Sequence, residues 1–320
     1  MGLTLNQIGE KLAEASLDIG AIKLRPDKPF KWASGFFMPI YNDNRMLLGN
    51  YAHRMLVVDG FKALLEENGI RDLDFIAGTS TAGIAPAASL AQELGDKELT
   101  IIQDGQIYAT NKISVPGEEF DFSFMDADLI ASTSPWAIPQ GVYLANAGKA
   151  AFAYVRQSAK QHGLNQQVEG IVAPGQNTFL IDFYRGESYF ELATQALKDK
   201  GTAKIHRFSR DLSHAIIPSS VSGRRGVLIE DLISTGRSFE TELQTYQQNG
   251  ADMSAGCLAI FNYGLRESFT SSILTYDVLL KVAEKKGNIR GDQVAMLQEW
   301  REDPFNWGQN HGFPPEGKKK

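Results

Sequence analysis

The 320-residue chain has one cysteine, Cys257, so it can form neither an internal disulfide nor a cysteine-rich metal site. That usage fits a reducing compartment and predicts a cytoplasmic protein. No stretch approaches the ~18 consecutive apolar residues of a membrane span. The opening Met1-Gly2-Leu3-Thr4-Leu5-Asn6 shows no basic segment followed by an apolar one, and no Ser or Thr at position 6 for myristoylation. Positive charge is also short. Thirty-two Lys and Arg stand against 38 Asp and Glu, a net charge of −6. This argues against a general nucleic-acid binder, while leaving room for a local basic loop that holds a small anion. With 43% hydrophobic and 22% charged residues, the disordered and collagen-like classes are excluded. The length allows two domains or one enlarged domain.

What is present is a recurrent strand–turn–helix pattern. Residues 5–20 and 51–69 read as helices, each stopped by a glycine. Residues 30–45, aromatic and punctuated by Gly and Pro, read as a hairpin or extended arm. LDFIAG (73–78) reads as a strand, TSTAG as a small-residue turn and IAPAASLAQEL as a helix. AAFAYV (150–155), GVLIED (226–231) and MSAGCLAIF (253–261) read as further buried strands, and FETELQTYQQNG as the helix after the third. Residues 272–286 and 291–301 read as helices, and the tail from Asp303 as solvated and frayed. Strands alternating with helices predict an α/β fold with a mainly parallel sheet. Residues 98–125 read as a hairpin turning at Gln103-Asp104-Gly105, followed by another strand.

The most informative stretch is Val227-Leu228-Ile229-Glu230-Asp231-Leu232-Ile233-Ser234-Thr235-Gly236-Arg237-Ser238. An apolar strand ends in two carboxylates, followed by a small-residue loop and a helix. Ligands bind at the carboxyl ends of strands in open parallel sheets. The loop amides and helix N-terminus suit a phosphate, and two carboxylates beside it can accept hydrogen bonds from a ribose. An acidic helix cap would explain one acid but not two acids with this loop.

This stretch resembles the 5-phosphoribosyl-1-pyrophosphate (PRPP) motif of type I phosphoribosyltransferases. Further segments narrow the resemblance to orotate phosphoribosyltransferase. Trp32-Ala33-Ser34-Gly35 with Pro39 to Arg45 resembles that family's hood. Gly78-Thr79-Ser80-Thr81-Ala82-Gly83 resembles its pyrophosphate loop. Ala153 to Gly163, then Glu169-Gly170, resembles its mobile catalytic loop. Ala259 to Gly264 and Leu297 to Arg301 resemble one bacterial branch. The resemblance implies a Mg²⁺-dependent pentosyltransferase of UMP biosynthesis that makes orotidine 5′-monophosphate and pyrophosphate from orotate and PRPP. It implies catalytic roles for Arg156, Lys160, His162 and Asp231. PRPP binding falls to Glu230, Asp231, Ser234, Thr235, Gly236, Arg237, Ser238 and to Thr79, Ser80, Thr81, Ala82 and Gly83. Orotate candidates are Ser34, Gly35, Tyr41 and Arg45, although Arg45 could equally pair with Asp43 or with Glu or Asp residues elsewhere. Mg²⁺ is expected mainly on ligand oxygens and water, with Asp231 touching it at most through water. A homodimer sharing the catalytic loop between subunits is implied, with no nucleic acid and no membrane as partner. Lysines common in the family are replaced here by Ala33, Ala82 and Gln157. Two alternatives remain open: transfer to another nucleobase, and a non-catalytic PRPP-sensing regulator.

The motifs stand too far apart for a minimal enzyme. The expected organisation is one domain over 1–302: a hood (1–50), insertions at 96–148 and 171–222, a PRPP-binding core (223–265), C-terminal helices (266–302), and then the polar tail 303–320. At an offset of 54, residues 72–91 match 126–145 in 9 of 20 positions. Phe179-Leu180-Ile181-Asp182 resembles the PRPP strand more weakly. Both blocks therefore read either as degenerate βα duplications that enlarge the sheet or build a lobe, or as unrelated insertions with strand–helix character. In the copy, Gly78 and Gly83 become Ser132 and Ala137, which impairs a phosphate cradle.

Overall fold

The computed structural model describes residues 2–32, 35–95, 97–110, 127–156, 167–183, 187–210, 218–234, 236–265 and 270–314. Helix α1 (Leu5–Asp18) starts at Thr4, whose hydroxyl accepts the Gln7 N–H while the Gln7 side chain accepts the Thr4 N–H. Strands β1 (Ile22–Leu24), β2 (Phe30–Lys31), β3 (Phe37–Met38) and β4 (Ile40–Asn42) follow. They pair antiparallel, β1 with β4 and β2 with β3, to form the hood, which ends in a 3₁₀ turn over 44–49. Helix α2 (Tyr51–Glu67) leads to β5 (Phe75–Gly78), α3 (Ile84–Glu93), β6 (Glu98–Gln103) and β7 (Gln106–Ala109). The chain continues with β8 (Leu129–Ser132), α4 (Ile138–Ala147), β9 (Ala151–Val155), β10 (Val168–Glu169), β11 (Thr178–Phe183), α5 (Glu187–Asp199) and β12 (Ile205–Arg210). It ends with β13 (Gly226–Ile233), α6 (Arg237–Gln248), β14 (Cys257–Asn262), β15 (Thr270–Thr275), α7 (Tyr276–Lys285), α8 (Gly291–Glu302) and α9 (Trp307–Asn310).

Among the described residues, the larger strands form two sheets. The first runs β15-β14-β13-β5-β6-β7 and the second β10-β9-β8-β11-β12. All neighbours are parallel except the two edge hairpins, β6 with β7 and β9 with β10. The α/β architecture with mainly parallel strands thus holds.

Strand alternation sends successive side chains to opposite faces. Ile76, Val227, Ile229, Leu258 and Ile260 enter one core with α1, α2, α3 and α7. Phe75, Ala77, Leu228, Cys257 and Ala259 enter another with Phe239 and Tyr246 of α6. The second sheet divides likewise. Ile130, Phe152, Ile181 and Phe183 join the first core together with α4, while Leu129, Ala131, Ala153 and Leu180 pack against Phe190, Ala193 and Leu197 of α5. The two sheets therefore share one core, with α3 and α4 between them.

Three elements differ from the sequence reading. Strand β9, expected in the core sheet, pairs with β8 in the second sheet. The segment read as a helix from 272 is strand β15 up to Thr275, because these residues extend the sheet beside β14; the Thr275 hydroxyl then caps α7 by accepting the Val278 N–H. The start of the tail is ordered by its aromatics. Trp307 is buried and donates to the Met296 carbonyl at 3.1 Å, and Phe313 stacks on Phe37 at 5.5 Å. The strand expected after the 98–109 hairpin lies outside the described residues, as do 315–320.

Candidate active site

The register of β13 against β5 places Ile229 opposite Gly78. The turn after β5 consequently starts beside the acids of β13. The Thr79 N–H donates to the Ile229 carbonyl at 3.0 Å, and the Thr79 hydroxyl donates to Oε1 of Glu230 at 2.8 Å. The same carboxylate oxygen accepts the Asp231 N–H at 2.8 Å. Burial, with the neighbouring Asp231 charge, pushes the Glu230 carboxyl well above the usual range. Asp231 is raised as well, by burial and by Asp43 and Glu169, against the pull of Glu230's hydrogen bond and of Arg45.

The turn over 79–83 is shaped for close approach. A Cβ on Gly83 would lie 2.3 Å from Thr79 Oγ1 and 2.4 Å from the Ile229 carbonyl, so only glycine fits. Ser80 is exposed, and Thr81 and Ala82 are half-buried. The Ser80 hydroxyl donates to the Ile102 carbonyl at 2.8 Å, and its N–H donates to Glu242 on α6 at 3.2 Å. Burial pushes the Glu242 carboxyl up to about 7. On the other side of the acids, Gly236 begins α6 at φ 82°, a left-handed conformation suited to glycine, and among the described residues no side-chain hydrogen bond caps the helix there. Uncapped first-turn N–H groups and the helix dipole favour an anion there.

Four charged groups from distant segments meet beside Asp231. Arg45 of the hood holds Asp43 through two hydrogen bonds, Nε at 2.6 Å and Nη2 at 2.9 Å, and its Nη1 donates to Glu169. Glu169, on β10, also pairs with Arg156, whose Nε lies 2.6 Å away. Arg156 Nη2 donates to the Thr81 hydroxyl at 3.2 Å, which links the end of β9 to the turn after β5. The Asn44 amide donates to the Asp231 carbonyl at 2.6 Å. Desolvation works against the Arg45 charge, but its carboxylate neighbours win and raise its pKa.

The structure therefore brings together Thr79, Ser80, Thr81, Gly83, Glu230, Asp231, Arg45 and Arg156. Ser234, Gly236 and Ser238 lie at the loop and first turn that follow. Tyr41 is half-buried in the hood, its phenol raised mainly by burial. Gly35 turns the β2–β3 hairpin at φ 87°. Ser34, Thr235, Lys160 and His162 lie outside the described residues, and Arg237 is described only as part of α6. Of the two readings of Arg45, the structure contains the pairing with Asp43. Sequence reasoning named Asp43 as a possible partner of Arg45 and quoted Glu169 inside a motif without giving it a role. It missed Glu242, whose only signal is its place one helical turn after Ser238. An aromatic wall closes the hood side. Trp32 donates to the Ile40 carbonyl at 2.9 Å and lies 5.9 Å from the Tyr263 ring, which lies 5.4 Å from Trp300.

An acid pair at the carboxyl end of a parallel strand is hydrogen-bonded to a small-residue turn on the adjacent strand, which is the geometry of a ligand site at the strand ends of an α/β protein. No protein-family model matches the chain. An orotate phosphoribosyltransferase of Cutibacterium acnes is 27% identical over 320 residues, covering 97% of this chain and 100% of the relative. One of Streptococcus agalactiae is 28% identical over 309 residues, covering 94% and 98%. The solved orotate phosphoribosyltransferase of Aeropyrum pernix is 20% identical with a TM-score of 0.40, covering 87% of this chain and 99% of that one. The chain is a homologue of orotate phosphoribosyltransferases over nearly its whole length.

Proposed function

We propose that the chain transfers 5-phosphoribose from PRPP to orotate, releasing pyrophosphate and forming orotidine 5′-monophosphate for UMP biosynthesis. The observation that carries this reading is the turn over 79–83, which has no room for a Cβ at Gly83 and is tied to an acid pair at one strand end by the Thr79–Glu230 hydrogen bond. Full-length similarity to curated orotate phosphoribosyltransferases supports the choice of nucleobase.

In this reading Glu230 and Asp231 receive the ribose hydroxyls. The turn Thr79 to Gly83 takes the pyrophosphate, and Ser234 to Ser238 with the α6 N-terminus takes the 5′-phosphate. Negative charge grows on the departing pyrophosphate as its bond to the sugar breaks, so cations fixed beside that turn lower the barrier. Arg156, already hydrogen-bonded to Thr81, is in place for this, and Lys160 and His162 follow it on the same loop. Arg45, held by two carboxylates, serves better as a positioning group than as a free receptor for orotate. Orotate then falls to the hood, with Gly35, Tyr41 and Ser34 as contacts beside the Trp32–Tyr263 wall.

Mg²⁺ fits this donor set only as a shared ligand. Among the described residues no group of three His, Cys, Asp or Glu is arranged for a metal, and Asp231 offers a hard oxygen that suits an ion bound mainly through phosphates and water. When bound, the ion supplies charge neutralisation to the pyrophosphate. A cytoplasmic setting goes with this reading, since Cys257 is a free, buried thiol.

The test is loss of orotate absorbance in the presence of PRPP and Mg²⁺, compared with adenine and hypoxanthine. Turnover of orotate alone is expected. Turnover of a purine, or PRPP binding without any turnover, would replace this reading with one of its two alternatives.

A further inference from the structure

The two sheets are copies of one another in strand order, register and local hydrogen bonding. Reading β7-β6-β5-β13-β14 against β10-β9-β8-β11-β12 matches an antiparallel edge hairpin, then three strands in the same order. Phe75 pairs with Gly226 and Glu98 as Leu129 pairs with Thr178 and Ala151. The Asp74 carboxylate accepts the Arg225 N–H at 2.8 Å, and the Asp128 carboxylate accepts the Asn177 N–H at 2.9 Å. Thr79 N–H donates to the Ile229 carbonyl as Thr133 N–H donates to that of Ile181. The Thr79 hydroxyl donates to Glu230 as that of Thr133 donates to Asp182. Gly223 N–H donates to the Gly250 carbonyl as Gly175 N–H donates to that of Gly201, both at 2.8 Å. Unrelated insertions would not reproduce these contacts one by one.

The copies have diverged in complementary ways. In the first, Ser80 is exposed in an open turn; in the second, Thr133, Ser134, Trp136 and Ala137 are all buried. Ala137 carries the methyl that Gly83 has no room for, and the turn rewinds, with Ala137 N–H donating to Ser134 instead of to the Thr133 carbonyl. Trp136 is covered by Tyr108 of β7, ring centroids 4.9 Å apart, and Gln140 donates to the Thr110 carbonyl at 2.9 Å. The edge hairpins differ in the opposite sense. In the first copy Gln103 pairs with Gln106 across a two-residue turn, Asp104-Gly105; in the second Val155 pairs with Val168, and this β9–β10 edge, with Arg156 at the end of β9, is the arm. Arg156 of that arm crosses to Thr81 of the first copy. The crossing is reciprocal, since Tyr108 and Thr110 of the first copy meet the closed turn of the second.

We propose that the second sheet is an internal duplicate whose own phosphate cradle is closed, and that it acts as a built-in partner delivering Arg156 and the arm to the first copy's cradle. One sheet keeps the cradle and the other keeps the arm. One chain thus carries one composite site, complete without a second chain. This rests on the phosphoribosyl reading of the first cradle and not on orotate as acceptor.

Two measurements test it. Calorimetric titration of the full chain with PRPP and Mg²⁺ is expected to give one PRPP per chain, with affinity lowered tenfold or more in Asp231→Asn and unchanged in Asp182→Asn. Two PRPP per chain, or an equal loss in both variants, overturns the closed cradle. Absence of PRPP binding removes this proposal and the reading beneath it, whereas one PRPP bound without orotate turnover removes only the choice of acceptor. For the arm, Arg156→Ala and Asp231→Asn chains, each shown by circular dichroism to be folded, are mixed after mild dissociation. Their sites combine only within a chain, so the mixture is expected to show the mean of the two separate rates, read as orotate turnover or, lacking that, as PRPP cleavage. Recovery toward a quarter of the wild-type rate would mean that arms reach between chains and would overturn the proposal.

Discussion

The hydroxyl of Thr79 donates to Oε1 of Glu230 across 2.8 Å and joins the turn after β5 to the acid end of β13. Both residues are buried. Thr79→Val keeps the shape and removes the donor, leaving a buried carboxyl oxygen with less hydrogen bonding. A loss of about 1–3 kcal/mol in stability is expected, read as a lower urea midpoint, together with weaker PRPP binding because the turn is no longer tied to the acids. An unchanged midpoint and unchanged affinity would count against the coupling.

Glu242 gives a pH dependence with a definite sign. Its carboxyl is pushed up to about 7 in the folded chain from an ordinary value of 4.5. Between these values the folded state holds a proton that the unfolded state has released. Its contribution to stability is therefore full below the unfolded value and is lost as pH rises through about 7. The urea midpoint is expected to fall from about pH 5 to about pH 8, and Glu242→Gln is expected to flatten that fall. An identical slope in the variant would show that other groups set it.

Much of the cradle was legible because its constraints are local. An acid pair must follow an apolar strand, and Gly83 must lack a Cβ where Thr79 and Ile229 crowd it. Glu169, the acid that joins the two arginines, was not legible in that role. Glu169 and Arg45 are 124 positions apart in sequence, and only the crossing of one sheet's arm to the other makes them neighbours. The 54-residue offset revealed the first copied strand, but β12 carries no motif, and the gap in the second match hid the complete second sheet. Strand β15 was misread because Thr270–Thr275 has no strong periodicity and is fixed by pairing with β14.

Arg54 ties the two copies together from α2. It is buried, with Nε donating to Asn146 at 2.9 Å, Nη1 to the Leu48 carbonyl at 2.6 Å, and Nη2 to the carbonyls of Ala145 at 3.1 Å and Ala150 at 2.7 Å. Burial lowers its pKa to about 10, which still leaves it charged near neutral pH. A lysine cannot reproduce this planar fork. Arg54→Lys is expected to cost about 1–3 kcal/mol and Arg54→Met more, since every acceptor then loses its partner. Denaturation midpoints in that order support the tie, and a methionine variant as stable as wild type would refute it.

Glu169 is the residue through which the arm is held. Its buried carboxylate lies between the guanidiniums of Arg45 and Arg156. Glu169→Gln removes the charge and leaves two cations facing a neutral amide. Arg45 retains Asp43, so the loss falls on Arg156. Breaking such a buried pair costs about 3 kcal/mol or more, part of it as lower stability and part as a displaced Arg156. The expected signature is a fall in kcat of tenfold or more, with PRPP affinity reduced less, because the turn and acid pair stay intact. Glu169→Asp keeps the charge on a shorter stem and should recover part of kcat. A glutamine variant that is folded and turns over at the wild-type rate would show that Arg156 finds Thr81 without Glu169, and that the arm needs no anchor on this carboxylate.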